Sequence, residues 1–549
     1  MSAAPRYALA IAIATHNRRE LLRRCLEALA EQIADPATFE VLVADDGSSD
    51  GTAEMLAELR TPFRLRSVRL EKVGKAAALN AALGAVEAEA CLFLDDDTIA
   101  SPELVAEHVA ARRRDPDALA LGKIVQRPPT RRDPYASAAA ERWNRRYAEL
   151  AGIVPDWADC YGGNFSAPHR TLVEIGGFAA DLPAVEDLEI GFRLCRAGCT
   201  PVYLPGAEAL HDDEKPGRRI LAHERRYGAW CVCFAEEHPE TRPRLLGWFA
   251  ESTPREVGLR RLLLALRVAP GALVAAGRAI PGTGRRQVWF DFVSRYAFWH
   301  GVKGATDRET WQRTIGGVPV LMYHAFTDGG EEDRYILPKR SFARQMRLLA
   351  ALRYRVVGFE EIALALGEGR ALPRRTVAIT IDDGYGDNFE IAYPILRRHR
   401  FTATLFLISR KLGSKANWSS EGGPTDGRAL LSLEQVRQMR ADGLAVGAHT
   451  RTHRPLPQLP AVEAEAEIAG SRADLEAALG EAVGTFAYPY GELDEQAVDA
   501  VKRASFLGAC TTHPRHARFG DDPLLIPRIE VRGSDTTRRF LRKLWLGGQ

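Results

Sequence analysis

Two apolar segments far apart in the chain end in adjacent carboxylates, and nothing else in the sequence restricts the fold so sharply. Cys91–Thr98 reads CLFLDDDT and Thr376–Tyr385 reads TVAITIDDGY. A short apolar run bounded by turn residues fits a strand buried in a largely parallel sheet. In α/β sheets of that kind, ligands collect beyond the carboxyl ends of the strands. Neighbouring carboxylates repel one another there unless cations neutralise them. Each run therefore predicts an α/β unit with a cation-using site at its strand tips. Two or more domains are also expected on size alone: the chain has 549 residues, and single cores stop growing at about 250–300.

The flanking sequence carries the same message. Ala8–Ala14, Phe39–Ala44, Leu65–Leu70 and Ala90–Leu94 read as strands, with helical spacing over Arg18–Ile33, Thr52–Arg60 and Lys75–Ala88. A second strand–helix alternation begins at Val318. Its strands are expected at Val318–Tyr323, Thr376–Ile381, Thr404–Ile408, Leu444–Ala448 and Thr485–Tyr488. Between the two lies an Arg-, Leu- and aromatic-rich stretch without acidic triplets, which reads as a helical connector. The expected organisation is 1–230, a connector over 231–316, and 317–549.

The formal charge of +2 is too small to suggest nucleic acid as a partner, which would need a concentrated basic field. Eight cysteines in so long a chain form neither a disulfide framework nor a paired zinc motif, so a reducing cytoplasmic setting is expected. Tyr7–Ala14 reads as a first strand rather than a signal peptide. Leu262–Gly277 is interrupted by Arg267 and Pro270 and falls short of the roughly 20 residues of a membrane span; a helix lying on a membrane surface stays open. Gln287–Lys303 fits either a membrane-facing helix or a packed one between the domains.

Beside CLFLDDDT, Val41–Thr52 (VLVADDGSSDGT) is a second strand ending in carboxylates. A hard divalent ion bridging a diphosphate would be held by one or two such groups. With ATHNR (Ala14–Arg18), GKAAALN (Gly74–Asn80), YGGNFS (Tyr161–Ser166) and VEDLEIGFRL (Val185–Leu194) in order, the first 230 or so residues resemble glycosyltransferase family 2, with the GT-A fold. The resemblance implies that Thr15, Asp46, Lys75 and Asp95 hold a nucleotide sugar and that Asp97 ligates Mg²⁺ or Mn²⁺. Asp187 would be the general base of an inverting transfer, and Glu186, Gly163 and Asn164 would border the acceptor. His211, in ALHDD, would add a metal or phosphate contact. The Q-x-x-R-W element of processive relatives is absent from His223–Trp230, which favours transfer of one or a few sugars.

In the second half, Leu444–Pro455 (LAVGAHTRTHRP) is a strand ending in His449 and His453. Two imidazoles at i, i+4 and one carboxylate form an N/O ligand set with a position left for water. Together with FAYPYG (Phe486–Gly491), this half resembles the polysaccharide deacetylases (carbohydrate esterase family 4), whose fold is a distorted (β/α) barrel. The resemblance implies Asp383, His449 and His453 as ligands of Zn²⁺ or another divalent transition metal. Asp382 would be the base and the Tyr490 backbone N–H an oxyanion donor. Two departures stand out. Ala487 occupies the place of an Arg that orients the base in many relatives, and Leu524–Val531 (LLIPRIEV) lacks the late His that serves as acid. His324 is the expected substitute, with His513 behind it.

The fusion suggests transfer of N-acetylglucosamine from UDP-GlcNAc to a carbohydrate, lipid-linked or small-molecule acceptor, followed by N-deacetylation. The alternatives are a hexose transferase joined to an O-acetyl esterase, or a transferase with a catalytically dead, glycan-binding second half. A nucleotidyltransferase would share the acidic strand ends but leaves Glu186–Asp187 and YGGNFS unexplained.

Overall fold

Each acidic strand end lies at the tip of a central, largely buried strand. The computed structural model describes residues 6–127, 129, 133–180, 185–250, 253–329, 333–370, 372–418, 423, 425–518 and 520–547. The chain divides into two units, Met1–Leu245 with Arg260–Thr306, and Leu246–Leu259 with Asp307–Gln549.

The strands of the first unit are β1 (Tyr7–Thr15), β2 (Phe39–Asp45), β3 (Arg64–Arg69), β4 (Ala88–Asp95), β5 (Thr98–Ala100), β6 (Ala118–Gln126), β7 (Asn164–Pro168) and β8 (Thr200–His211). They form one sheet in the order β3-β2-β1-β4-β7-β6-β8-β5. β1 to β4 pair in parallel, while β7 enters antiparallel beside β4. On β1, Leu9, Ile11 and Ile13 join the core on one face and Ala10 and Ala12 the core on the other, as the two-residue period of a strand requires. The register sets Ala14 opposite both Ala44 and Asp95. Thr15, Asp46 and the Asp95–Asp97 run thus share one edge of the sheet.

The second unit contains β9 (Val320–Tyr323), β10 (Ala325–Thr327), β11 (Ile336–Pro338), β12 (Arg355–Val357), β13 (Thr376–Asp383), β14 (Thr404–Leu407), β15 (Ala445–Ala448), β16 (Thr485–Ala487), β17 (Gly508–Cys510) and β18 (Ile529–Glu530). Seven are in the order β17-β16-β15-β14-β13-β9-β18, and every pairing is parallel. Ile526, just ahead of β18, bridges Cys510 of β17, so the sheet closes on itself as a short-stranded, distorted barrel. All of β13 is buried.

The expected strands of both alternations are present. β5 to β8, β10 to β12, β17 and β18 were not legible, being very short or interrupted by polar residues. Most of the stretch expected to be a connector packs as part of the first unit. Helices Gly217–Glu237 and Thr283–Ala305 approach closely through two glycines: a Cβ on Gly228 would collide with the Phe298 carbonyl, and one on Gly301 with that of Arg225. Gly301→Leu is therefore expected to lower stability by about 1–3 kcal/mol through overpacking, read as a shift in the chemical denaturation midpoint at unchanged slope. The run Leu262–Gly277 is broken between helices Pro254–Ala265 and Pro270–Arg278. Among the described residues no helix is long and apolar enough to cross a membrane.

Candidate active sites

In the first unit, β4 delivers its carboxylates into three separate roles. Asp95 pairs with Lys75 Nζ at 2.7 Å. Asp96 turns inward and accepts from the Thr15 hydroxyl at 2.7 Å. Asp97 is buried, with one oxygen 2.5 Å from the Arg18 guanidinium and the other 3.2 Å from His211 Nε2. β5 pairs with β8 so that Thr98 lies opposite His211, which is how a residue from the far end of the sheet comes to face Asp97. Arg18 also reaches Asp96 at 3.1 Å and Asp213 at 2.9 Å. Sequence reasoning quoted Arg18 only as part of a motif.

Asp46 accepts from the backbone N–H groups of Val73 and Gly74. It thereby fixes the loop that opens helix Lys75–Leu83 and aims Lys75 at Asp95. Burial would raise the Asp95 pKa, yet the Lys75 ammonium outweighs it and holds the carboxyl below its ordinary range. Asp96 goes the other way: burial pushes it up to about 6, only partly offset by Arg18 and Thr15. Of the three, Asp95 and Asp97 remain the pair suited to a cation, and with His211 their ligand atoms lie within 4.8 Å of one another. Asp97 Oδ1 is buried without a hydrogen-bond partner despite the nearby imidazole. Two ligand atoms that share a point in space without bonding each other fit a divalent ion between them.

The Gly162–Gly163 turn joins this cluster to the candidate base. Asp187, at the start of helix Glu186–Arg196, accepts from the Gly162 N–H at 2.6 Å and from its neighbour Leu188. Gly163 adopts φ +104°, and a Cβ there would lie 2.8 Å from an Asp95 oxygen. Only glycine allows the backbone so close. Burial, and then the charge of Glu186, push Asp187 up to about 6, where a carboxylate is a better proton acceptor. One expectation is corrected. Asn164 does not face the acceptor: it is buried, its amide donating to the Lys123 and Ala207 carbonyls and its oxygen 3.0 Å from His108 Nε2. Its contacts fix the root of the glycine turn.

In the second unit, β13 and β15 bring together the three expected ligands. His449 Nε2 and His453 Nε2 lie 3.4 and 3.3 Å from Asp383 Oδ1, and the three ligand atoms again fall within 4.8 Å. His449 Nδ1 is 2.7 Å from the Ala487 carbonyl, which holds a proton on that nitrogen and leaves Nε2 free for a metal. This donor set fits a zinc-type ion. The backbone is strained around it. Asp383 (φ 71°), Thr450 (φ 61°), His453 (φ 68°) and Tyr490 (φ 60°) are all left-handed non-glycine residues, of the kind that persists where surrounding structure enforces it. Trp418 and Tyr490 flank His453, with ring centres at 5.1 and 4.6 Å. The Tyr490 amide carries no hydrogen bond among the described residues.

The arginine that Ala487 lacks comes from another strand. Arg528, from the LLIPRIEV segment leading into β18, is fully buried and forks onto Asp382 with two bonds of 2.7 Å. Two further N–H groups reach the Thr511 carbonyl and the Thr380 hydroxyl, each at 3.1 Å. Burial alone would raise the Asp382 pKa; Arg528 reverses that and lowers it. The sequence did hold a signal. An Arg inside an otherwise apolar, barrel-closing run has to find a carboxylate. His324 follows β9, partly buried, its carbonyl held by Asn388 and its ring 4.9 Å from Tyr335. It lies near enough to act electrostatically on both Asp382 and Asp383. His513 is exposed, and the Thr511 hydroxyl accepts its backbone N–H.

Comparison with known proteins finds two families on the chain, one in each half. The family model for Glycosyl transferase family 2 matches residues 10–173, and that for Polysaccharide deacetylase matches residues 369–508. Over 272 residues the chain is 28% identical to validoxylamine A glucosyltransferase of Streptomyces hygroscopicus subsp. limoneus, covering 43% of this chain and 58% of that one. The match thus leaves over a third of that relative's length unspanned. The C-terminal half is 24% identical over 231 residues to the poly-beta-1,6-N-acetyl-D-glucosamine N-deacetylase of Staphylococcus aureus (strain MRSA252), covering 40% of this chain and 76% of that one. The solved structure of IcaB from Ammonifex degensii is 27% identical and covers 42% of this chain and 97% of its own, at a TM-score of 0.37.

Proposed function

We propose, from a chain that joins a glycosyl transferase family 2 domain to a polysaccharide deacetylase domain, that it transfers N-acetylglucosamine from UDP-GlcNAc to an acceptor hydroxyl and then removes the acetyl group. The observation that carries the reading is the pairing, on one chain, of an Asp97-centred cluster beside a raised-pKa carboxylate with an Asp–His–His cluster beside a second carboxylate. Tethering the two activities raises the effective concentration of the intermediate at the second site.

In the transfer step Asp187 takes the acceptor hydroxyl proton as that oxygen bonds to the anomeric carbon, and the bond to the diphosphate breaks with inversion. Lys75 and Arg18 offset the phosphate charge. A Mg²⁺ or Mn²⁺ held by Asp97, with Asp95 and His211 about it, would neutralise the leaving diphosphate when bound. In the hydrolytic step Asp382, oriented by Arg528, takes a proton from water, and the oxygen attacks the acetamide carbonyl. The Tyr490 N–H steadies the developing oxyanion. As the C–N bond breaks, His324 gives a proton to the amine, and acetate and a glucosaminyl product leave. A zinc-type ion on Asp383, His449 and His453 would acidify that water and polarise the carbonyl when bound. The Arg528–Asp382 pair favours this reading over a dead second centre, since it supplies the base-orienting arginine from a new place.

Mass spectrometry of the full chain with UDP-GlcNAc, divalent metal and a panel of lipid-phosphate and saccharide acceptors tests the coupled reading. Wild type is expected to give a glucosaminyl product and Asp382→Asn an N-acetylglucosaminyl one. An acetyl group retained by both would remove the deacetylation step and leave the transferase standing.

A further inference from the structure

We propose that the helical segment 260–290 seats the first unit on an anionic lipid bilayer. The chain as a whole is nearly balanced, with 74 basic and 72 acidic residues, yet this segment holds six arginines and no Asp or Glu. Arg260 is buried and Arg261 and Arg286 are half-buried, so the outward charge rests on the other three. Arg267, Arg278 and Arg285 are exposed, and none of these three pairs with a carboxylate among the described residues. Leu262, Leu266 and Val288 are 55, 65 and 64% exposed, and Leu262 and Leu266 are more exposed than the other exposed leucines.

The segment is not a frayed end. Tyr296 of helix Thr283–Ala305 donates to the Leu263 and Val268 carbonyls at 3.2 and 2.6 Å. Trp289 Nε1 donates to the Leu273 carbonyl at 2.8 Å. The backbone is therefore pinned by these hydrogen bonds, while Leu262, Leu266, Val288 and the three arginines stay exposed. A basic surface alone would suit RNA equally well, but exposed leucines gain nothing from a phosphate backbone. They gain from an apolar phase beneath a layer of negative headgroups, the environment of an interfacial amphipathic helix. The inference does not depend on which sugar or acceptor the chain uses.

Flotation of the full chain with phosphatidylcholine vesicles, with or without phosphatidylglycerol, tests it. Wild type is expected to float only with the anionic vesicles and to be released by high salt. Replacing Arg267, Arg278 and Arg285 together by Gln should weaken binding on the order of a hundredfold, about fivefold per arginine. Leu262→Gln with Leu266→Gln should weaken it at least about tenfold at unchanged charge. The two variant sets are independent, and an unchanged thermal midpoint identifies those that fold. Equal flotation with neutral vesicles, no flotation of wild type, or binding untouched by the leucine changes would overturn the proposal. So would equally tight binding of single-stranded RNA insensitive to those changes.

Discussion

Replacing Arg528 by methionine is expected to destabilise the second unit by about 3–5 kcal/mol, the cost of leaving a buried charge without its partner. It should also lower the kcat of deacetylation by about 10–100-fold, since Asp382 loses the two bonds that orient it. The side chain is fully buried and makes four hydrogen bonds, two of them to Asp382, so no water stands ready to replace it. Arg528→Lys separates charge from geometry. It restores the cation but not the planar fork, so stability should recover in part while kcat stays low and KM is little changed. If the lysine variant regains full kcat, Arg528 acts only as a counter-charge and its positioning role is wrong.

Asp187→Asn is expected to lower sugar transfer by about 10²–10⁴-fold, the usual contribution of a positioned general base, and to leave deacetylation of a supplied acetamido substrate intact. The wild-type pH profile should carry the same signature. Asp187 works as the carboxylate, and its pKa is pushed up to about 6 by burial and by Glu186. The kcat/KM of transfer should therefore be flat above that value and fall about tenfold per pH unit below it. Glu186→Gln removes the neighbouring charge and should move the limb to lower pH. A wild-type profile flat down to pH 4, or an Asp187→Asn enzyme of near-normal rate, would place the base elsewhere.

The strand ends were legible because their signal is local: an apolar run that stops at carboxylates tells both where the sheet lies and which edge does the chemistry. Asp383 and His449 could be read for the same reason, since one ends β13 and the other directly follows β15, with His453 four residues on in the same motif. Arg528 could not. Its partner is 146 residues away, and nothing within LLIPRIEV says which distant carboxylate its arginine meets. Asn164 erred in the opposite direction. A motif resemblance marks a position as important without saying whether the side chain faces substrate or, as here, braces the turn that does. His211 is named by its motif, but its place opposite Asp97 depends on β5 pairing with β8, and β5 is three residues long, too short for any periodicity to announce.

The closure of the barrel by β18 also bears on when the second unit can become active. β9 must wait for Ile529 and Glu530 to arrive as its outer neighbour, and the residue just before them is the arginine that pairs with Asp382. Until then β9 is an open edge able to recruit other chains. Because such distant pairing is slow to form, the interval between synthesis of β13 and docking of β18 is the period in which this protein most needs shielding from aggregation. A chain cut just before Arg528 would lack both the segment that closes the barrel and the partner of Asp382.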